Sequence, residues 1–267
     1  MGIFSGFLIC SDIDGTFSVN TKPVQKNMEA VRYFTENGGK FAMATGRTAA
    51  YLKNTEFFDL INSPACICNG SVVYDYETEK VLFEEKEDFT LAEFLLAIGD
   101  KRKLLSGLYV YYTPQTVQAE NTAKKDFSKE ELSNYPIKVV CVTDTKEDME
   151  IFKSFCLNSE AFSNTYISNS WDTGLEFNSK NGTKGNAVKF IKEYLKDIHP
   201  SVAIGDQEND LPMIEMADIG VCVEDGVAKA REKADLIVCK ACEASVADLI
   251  RILEEKIISG KLPKPLC

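Results

Sequence analysis

The chain has 267 residues, 45% of them hydrophobic, and a formal net charge of -11. Such a composition belongs to a folded globular protein with room for one large domain or two smaller ones. The acidic balance, without a basic run or stripe, argues against nucleic acid and anionic membrane as partners, and no run of about 18 apolar residues offers a membrane span.

In chain order, Phe7-Leu8-Ile9-Cys10 is a short apolar run of the kind buried on both faces of a parallel sheet. It runs into Ser11-Asp12-Ile13-Asp14-Gly15-Thr16. Aspartate is depleted in strands, and two neighbouring carboxylates repel unless a cation or a proton lies between them. At the carboxyl end of a parallel strand they stand where open α/β sheets bind ligands. The pattern therefore suggests a divalent-metal site with one carboxylate free to act as a nucleophile; on its own it also fits an Asx-turn with solvated acids. After a polar turn ending at Pro23, Val24, Met28, Val31 and Phe34 recur at helical spacing, and Asn37-Gly38-Gly39 ends the helix. Phe41-Ala42-Met43-Ala44 is a second buried strand, leading into Thr45-Gly46-Arg47-Thr48. A helical segment and Pro64 follow, and Ala65 to Cys68 is a third strand, leading into Asn69-Gly70. Strand-helix-strand-helix-strand is the order that builds a parallel sheet.

From about Phe83 to Gly182 the pattern changes. A helix at Leu91 to Ile98 is followed by an alternating strand carrying Leu108, Val110 and Tyr112, a strand at Ile137 to Val142 and a helix around Met149 to Phe155. Two more strands are predicted at Tyr166 to Ser168 and Leu175 to Phe177. This reads as an inserted α+β domain with an antiparallel sheet open on one side. The first pattern returns at Thr183-Lys184-Gly185, where Val188, Ile191, Tyr194 and Leu195 mark a helix. Val202-Ala203-Ile204 is a strand leading into Gly205-Asp206-Gln207-Glu208-Asn209-Asp210, and a short helix carries Leu211, Ile214 and Met216. Strands at Ile219 to Val223 and Leu236 to Cys239 precede an amphipathic helix on Val246, Leu249, Ile250, Leu253 and Ile257, and Gly260 to Cys267 reads as a tail. The expected architecture is an α/β, doubly wound parallel sheet. Its core is formed by residues 1–82 and 183–267, with 83–182 as the insert.

Nine cysteines, an odd number, sit mostly in apolar runs, where a free thiol behaves as a small hydrophobe. Cys66-x-Cys68 and Cys239-x-x-Cys242 lack a second pair at zinc-finger spacing. A reducing cytoplasm is the expected compartment, where Asn69-Gly70-Ser71 and Asn181-Gly182-Thr183 are chance glycosylation matches. The single histidine, His199, lies in what reads as a surface turn. Acid-base chemistry must then rest on carboxylates, and a metal site on oxygen ligands, which suit Mg²⁺.

Several polar groups thus converge on one edge of the sheet. Thr45-Gly46 offers a hydroxyl and backbone N–H groups expected to open a helix, an anion site; Lys184 begins another helix, and Asp206 and Asp210 lie four apart around a turn. Singly, Thr45 reads as a helix cap, Lys184 as a solvated lysine, and the two aspartates as turn acids. Together on one edge, a lysine and a threonine beside four aspartates match a phosphate bridged to protein through Mg²⁺.

Asp12-x-Asp14-Gly15-Thr16, Thr45-Gly46-Arg47, Lys184-Gly185 and Gly205-Asp206-x-x-Asn209-Asp210 resemble, in order, the four motifs of the haloacid dehalogenase superfamily of phosphatases. An insert of about 100 residues between the second and third motifs is similar to the Cof subfamily with its C2-type cap. Phe17-Ser18 replaces the more usual leucines after the first motif. The resemblance implies roles. Asp12 is the nucleophile that forms a phosphoaspartate, and Asp14 the general acid and base, a group the dehalogenases lack. Mg²⁺ is held by the Asp12 carboxylate, the Asp14 backbone carbonyl and Asp206, with Asp210 in support. Thr45, Gly46, Lys184 and Asn209 bind phosphoryl oxygens, while Arg47 contacts the phosphate or the rest of the substrate, or else takes a stacking or surface role. The implied activity is hydrolysis of a small phosphorylated metabolite, most simply a sugar phosphate. A phosphomutase of similar build and a non-catalytic binding module are the alternatives. Among the aromatic residues of the insert, Tyr109, Tyr111, Tyr112 and Trp171 are candidates to face a sugar or to sit in core or surface.

Overall fold

A computed structural model describes residues 2–112 and 127–262. The expected tail lies outside the described residues beyond Leu262, as does Cys267. Five parallel strands form the central sheet in the order Leu236–Val238, Ile219–Val223, Ser201–Gly205, Leu8–Ser11, Lys40–Met43. Leu8–Ser11 therefore pairs on one side with a strand from the late part of the chain and on the other with one from its early part.

The unbroken apolar runs follow from burial on both faces. Ile9, Phe41, Met43, Val202, Ile204 and Val221 point into one hydrophobic cluster; Leu8, Cys10, Ala42, Ala44 and Ala203 point into another. Helices Gln25–Glu36 and Ser245–Ile258 cover the first face, burying Val31, Phe34, Val246, Leu249, Ile250, Leu253 and Ile257. Helix Lys184–Leu195 covers the second with Val188 and Ile191. Tyr194, expected on the same buried stripe, is about half exposed, because it lies at the rim of the helix beside Phe190.

Ala65–Ile67 continues this layer only through a single parallel bridge, Ala44 to Cys66. It belongs instead to an antiparallel sheet with Val72–Asp75 and Lys80–Glu84. The expected boundary at 82/83 falls inside the last of these strands. Between them the chain turns at Cys68, Asn69 and Gly70, all three with positive φ (51°, 61° and 99°). Two of the three are not glycine, so the surroundings must hold the turn against its local cost.

The middle of the chain folds around its own antiparallel sheet, in the order Thr165–Trp171, Gly174–Ser179, Lys138–Thr143, Leu105–Tyr111. One face carries Leu108, Val139, Cys141, Leu175 and Phe177 against helices Leu91–Ile98 and Lys146–Leu157. The other face carries Tyr109, Tyr111, Lys138, Val140, Val142 and Glu176, which line a cavity over the carboxyl edge of the central sheet. Among the described residues no helix is long and apolar enough to cross a membrane.

Candidate active site

Asp12 directly follows the central strand, and its N–H donates to Ile204 O at 2.9 Å, which continues the pairing with the next strand and fixes the residue at the sheet edge. The chain then turns through Gly15, φ +91°, where a Cβ would stand 2.4 Å from Asp206 Oδ2. A glycine is required by both the backbone and the close approach of that carboxylate. Thr16 Oγ1 donates to Asp206 Oδ1 at 3.1 Å, and Gln207 Nε2 donates to Asp206 Oδ2 at 3.0 Å.

Lys184 opens its helix and is completely buried. Its Nζ is 2.6 Å from Asp12 Oδ1 and 2.6 Å from Asp210 Oδ1. Asp210 is also completely buried; its Oδ2 accepts the Asp206 and Gln207 N–H groups, each at 2.9 Å. With both carboxylate oxygens engaged, Asp210 acts as a brace for the turn. Asp12, Asp206 and Asp210 each present an oxygen within 4.8 Å of the others, the one such acidic group among the described residues.

Burial pushes the Asp12 carboxyl well above its usual range; the Lys184 ammonium opposes that, while Asp210 and Asp206 add to it. Burial, then the Asp210 charge, pushes Asp206 up to about 7. The Lys184 ammonium is held firmly charged, since its two carboxylate partners outweigh the cost of burying it. With all three carboxylates ionised, the cluster and its one ammonium would carry a net charge of -2 in a buried site. A divalent cation balances that charge with oxygen ligands alone, so the donor set fits Mg²⁺.

The remaining expected residues face the cavity, whose volume is about 580 Å³. Asp12, Asp14, Thr45, Gly46, Arg47 and Asn209 line it, whereas Lys184, Asp206 and Asp210 stand behind that lining. Asp14 is more open than Asp12, and its Oδ2 accepts from Arg47 Nε at 3.0 Å. Arg47 also lies over the Tyr51 ring, 4.7 Å from its centroid. The stacking role is thus combined with a hold on Asp14. Thr45 Oγ1 accepts the Arg47 N–H at 3.1 Å, and the next helix starts only at Ala49. A loop, not a helical first turn, therefore presents the Gly46 N–H.

Of the aromatic candidates, Tyr109, Tyr111 and Trp171 line the cavity; Tyr112 instead donates through its hydroxyl to Glu131 O at 2.9 Å. His199 is on the surface and does not line the cavity. The eight described cysteines are free thiols, with Cys66 and Cys68 buried and Cys242 exposed.

Sequence reasoning missed Asn69, Lys138 and Glu176. Asn69 Nδ2 donates to Glu176 and to Asn178, and its Oδ1 accepts from Asn209 Nδ2 at 3.2 Å. Lys138 and Glu176 form a buried ion pair at 2.5 Å on the open face of the middle sheet. Alternation puts both on the open face of the middle sheet, Lys138 in phase with Val140 and Glu176 between the core residues Leu175 and Phe177, so the sequence pattern reads them as solvated charges. Lys153 and the Tyr166 hydroxyl reach Glu208 at 3.2 and 3.1 Å, tying the middle sheet and its helix to the loop that carries Asp206 and Asp210.

A carboxylate pair, the Thr45–Gly46 loop and a buried lysine thus gather at one cavity under a second sheet. The family model of the haloacid dehalogenase-like hydrolases matches residues 9–250, and the chain belongs to that family. A Streptococcus pyogenes protein assigned to the phosphatases is 29% identical over 91% of this chain and 97% of its own. The Escherichia coli pyridoxal phosphate phosphatase is 21% identical over 91% of this chain and 97% of its own. A solved sugar phosphatase of subclass IIB of the family superposes with a TM-score of 0.73 at 18% identity, over 92% of this chain and 98% of that one, a likeness of fold. The expected fold and family are borne out, and the chain is an enzyme of the phosphatase type.

Proposed function

We propose that this enzyme is a Mg²⁺-dependent phosphatase of a small phosphomonoester, acting through a phosphoaspartate on Asp12. The observation that carries the reading is the placement of Asp12 and Asp14 at one cavity, with Lys184 2.6 Å behind Asp12 and the Thr45–Gly46 loop beside them. Residues 1–82 and 183–267 would form the catalytic core, and 83–182 the cap that encloses the substrate. Free thiols throughout the described chain fit a cytoplasmic setting.

The Asp12 carboxylate attacks phosphorus while the bond to the leaving oxygen breaks. Asp14, protonated, gives its proton to that oxygen. The same group, now a carboxylate, takes a proton from water as the water oxygen attacks phosphorus, releasing orthophosphate and restoring Asp12. Asp12 and Asp206, with the Asp14 backbone carbonyl, would hold Mg²⁺, and Asp210 would brace them. The cation supplies charge neutralisation for the phosphoryl oxygens and for the buried carboxylates. The Gly46 N–H, Thr45, Lys184 and Asn209 orient the phosphoryl group, and the middle sheet excludes water.

A cavity of about 580 Å³ walled by Tyr109, Tyr111, Val140, Val142 and Trp171 suits an alcohol with a ring. A sugar phosphate is the first candidate. Release of orthophosphate from a panel of phosphomonoesters, with and without Mg²⁺, tests the reading. Metal-dependent release of one equivalent per ester cleaved is expected; absence of release from every ester, p-nitrophenyl phosphate included, would overturn it. A mutase would instead move the phosphate within its substrate and release little.

A further inference from the structure

A loop that binds a phosphate through its N–H groups must keep its carbonyl oxygens committed elsewhere, because an oxygen facing the anion repels it. In the Thr45–Arg47 loop each of the three carbonyls has a donor. Thr45 O accepts the Asn69 N–H at 2.9 Å, and Arg47 O accepts the Cys68 N–H at 3.0 Å. Both donors belong to the left-handed turn after Ile67, in the same part of the chain as the loop. Gly46 O is different: it accepts from Lys138 Nζ at 3.0 Å, a side chain from the middle sheet. Among the described residues, none accepts the Gly46 N–H, which leaves it available to an anion.

The geometry is built closely around this contact. A Cβ at position 46 would stand 2.9 Å from Asn69 Oδ1 and 3.1 Å from Lys138 Nζ. Lys138 is almost fully buried, paired with Glu176 at 2.5 Å, and its Nζ lies 5.6 Å from the centroid of the Tyr111 ring. Glu176 accepts in turn from Asn69 Nδ2, and Asn69 Oδ1 meets Asn209. A buried lysine so enclosed has little freedom to reach out to different substrates. Its one contact with the phosphate-binding loop is the Gly46 carbonyl.

We propose that Lys138 is a positioning residue for the phosphoryl group: its ammonium fixes the Gly46 peptide with the carbonyl occupied, and so the middle sheet completes the phosphate-binding loop of the core. The proposal rests on the phosphatase reading above. It separates Lys138 from the walls of the same cavity, which meet the leaving group. Its consequence is that the affinity for phosphate itself, without any leaving group, depends on a residue of the inserted sheet.

Inorganic phosphate is therefore the probe, titrated calorimetrically into the Mg²⁺-loaded protein and measured as a competitive inhibitor of p-nitrophenyl phosphate cleavage. Lys138→Met should weaken orthophosphate binding by about tenfold or more, the loss of a charge-assisted hydrogen bond. Lys138→Arg should restore part of it. The double variant Lys138→Met/Glu176→Gln removes both buried charges, and it should stay as weak as Lys138→Met. Recovery of wild-type affinity in the double variant would mean that an uncompensated Glu176 caused the loss, and would overturn the proposal. Unchanged orthophosphate affinity in Lys138→Met with a raised KM for esters would also overturn it, since that is the behaviour of a leaving-group contact. If Lys138→Met alone does not fold, the double variant carries the comparison with wild type. A wild-type protein that neither binds orthophosphate nor cleaves any ester removes the phosphatase reading, and this proposal with it; an active wild type with unaffected variants removes the positioning role alone.

Discussion

The Lys184 ammonium lies 2.6 Å from the Asp12 carboxylate in a position with no solvent exposure, and the same nitrogen braces Asp210 at 2.6 Å. One cation thus serves both the carboxylate expected to attack phosphorus and the turn that presents Asp206. Lys184→Met would leave two buried carboxylates without their partner. Removing one member of a buried ionic cluster costs about 3–5 kcal/mol. The variant should melt well below wild type, regain part of the difference in Mg²⁺, and lose at least about 10²-fold in ester cleavage. Thermal unfolding beside phosphate release checks this. A Lys184→Met protein with the wild-type melting temperature would show that the cluster is neutralised by some other route.

Arg47 and Asp14 make the opposite case. Their side chains are 43% and 40% exposed, so the 3.0 Å pair adds little to stability, about 0–1 kcal/mol. Its expected role is to aim Asp14 across the cavity. Arg47→Met should melt within about 4 °C of wild type and lower kcat/KM by about tenfold. An unchanged kcat/KM would assign Arg47 to the surface, where its stack on Tyr51 is its whole function.

The strand at Ile219–Val223 and the buried face of the last helix were legible because their signals are local. An apolar run bounded by polar residues, or a 3.6-residue repeat, is complete within a dozen positions. The motif turns were legible for the same reason: Asp12 and Asp14, Thr45 and Gly46, and Asp206 to Asp210 each lie in a compact turn after a strand. The hairpin of Val72–Asp75 and Lys80–Glu84 was not: no strand was expected between Gly70 and Phe83, and Ala65 to Cys68 was placed in the parallel layer, because the partner that turns it antiparallel was not seen. Lys138 was hidden more deeply. It meets Gly46 across 92 positions of chain, and nothing near either residue announces the contact. Asn69 was seen as a strand end, but its link to Asn209 spans 140 positions. Tyr194 followed the helical repeat yet half escaped burial, because the repeat gives the direction of a side chain and not the reach of the sheet beneath it.

Glu87 gives a pH dependence that is separate from the acidic cluster. It sits where the chain enters the middle unit, almost fully buried, and its Oε1 has no hydrogen-bond partner among the described residues. Burial, and then the Asp88 charge, pushes its carboxyl up to about 9, against a weak contact from Thr165. In the unfolded chain it titrates near 4.5. The unfolded state therefore loses the proton first as pH rises, while the fold keeps it. This contribution to stability is whole below about 4.5, falls between 4.5 and 9, and is flat above that. Glu87→Gln keeps the shape of the neutral form and should flatten the slope. Melting curves across this range should bring the two proteins together at the acid end and place the variant higher at pH 8. Parallel curves would show that the carboxyl is ionised in the fold.

The last prediction joins the metal to the chemistry. Asp12, Asp206 and Asp210 hold their oxygens within 4.8 Å of one another, with burial and mutual repulsion opposing ionisation of Asp12 and Asp206. A cation that binds this folded cluster and not the unfolded chain stabilises the fold by an amount set by its concentration over its dissociation constant. At a hundredfold excess the gain is about 2.7 kcal/mol, roughly 5–10 °C in melting temperature for a chain of this size. Asp12→Asn removes one charge and the proposed nucleophile but keeps an oxygen that can accept from Lys184 Nζ. Without Mg²⁺ it should melt no lower than wild type; with Mg²⁺ it should gain less, and its ester cleavage should be lost. Asp14→Asn leaves the buried cluster intact, so its Mg²⁺ shift should match wild type. Its turnover should fall by about 10²–10⁴-fold, because both the leaving oxygen and the attacking water lose their proton carrier. Melting with and without Mg²⁺ for the three proteins, alongside orthophosphate release, separates the two aspartates. Near-wild-type cleavage by Asp12→Asn would exclude Asp12 as the nucleophile, and an equal Mg²⁺ shift in Asp12→Asn would exclude its carboxylate as a ligand.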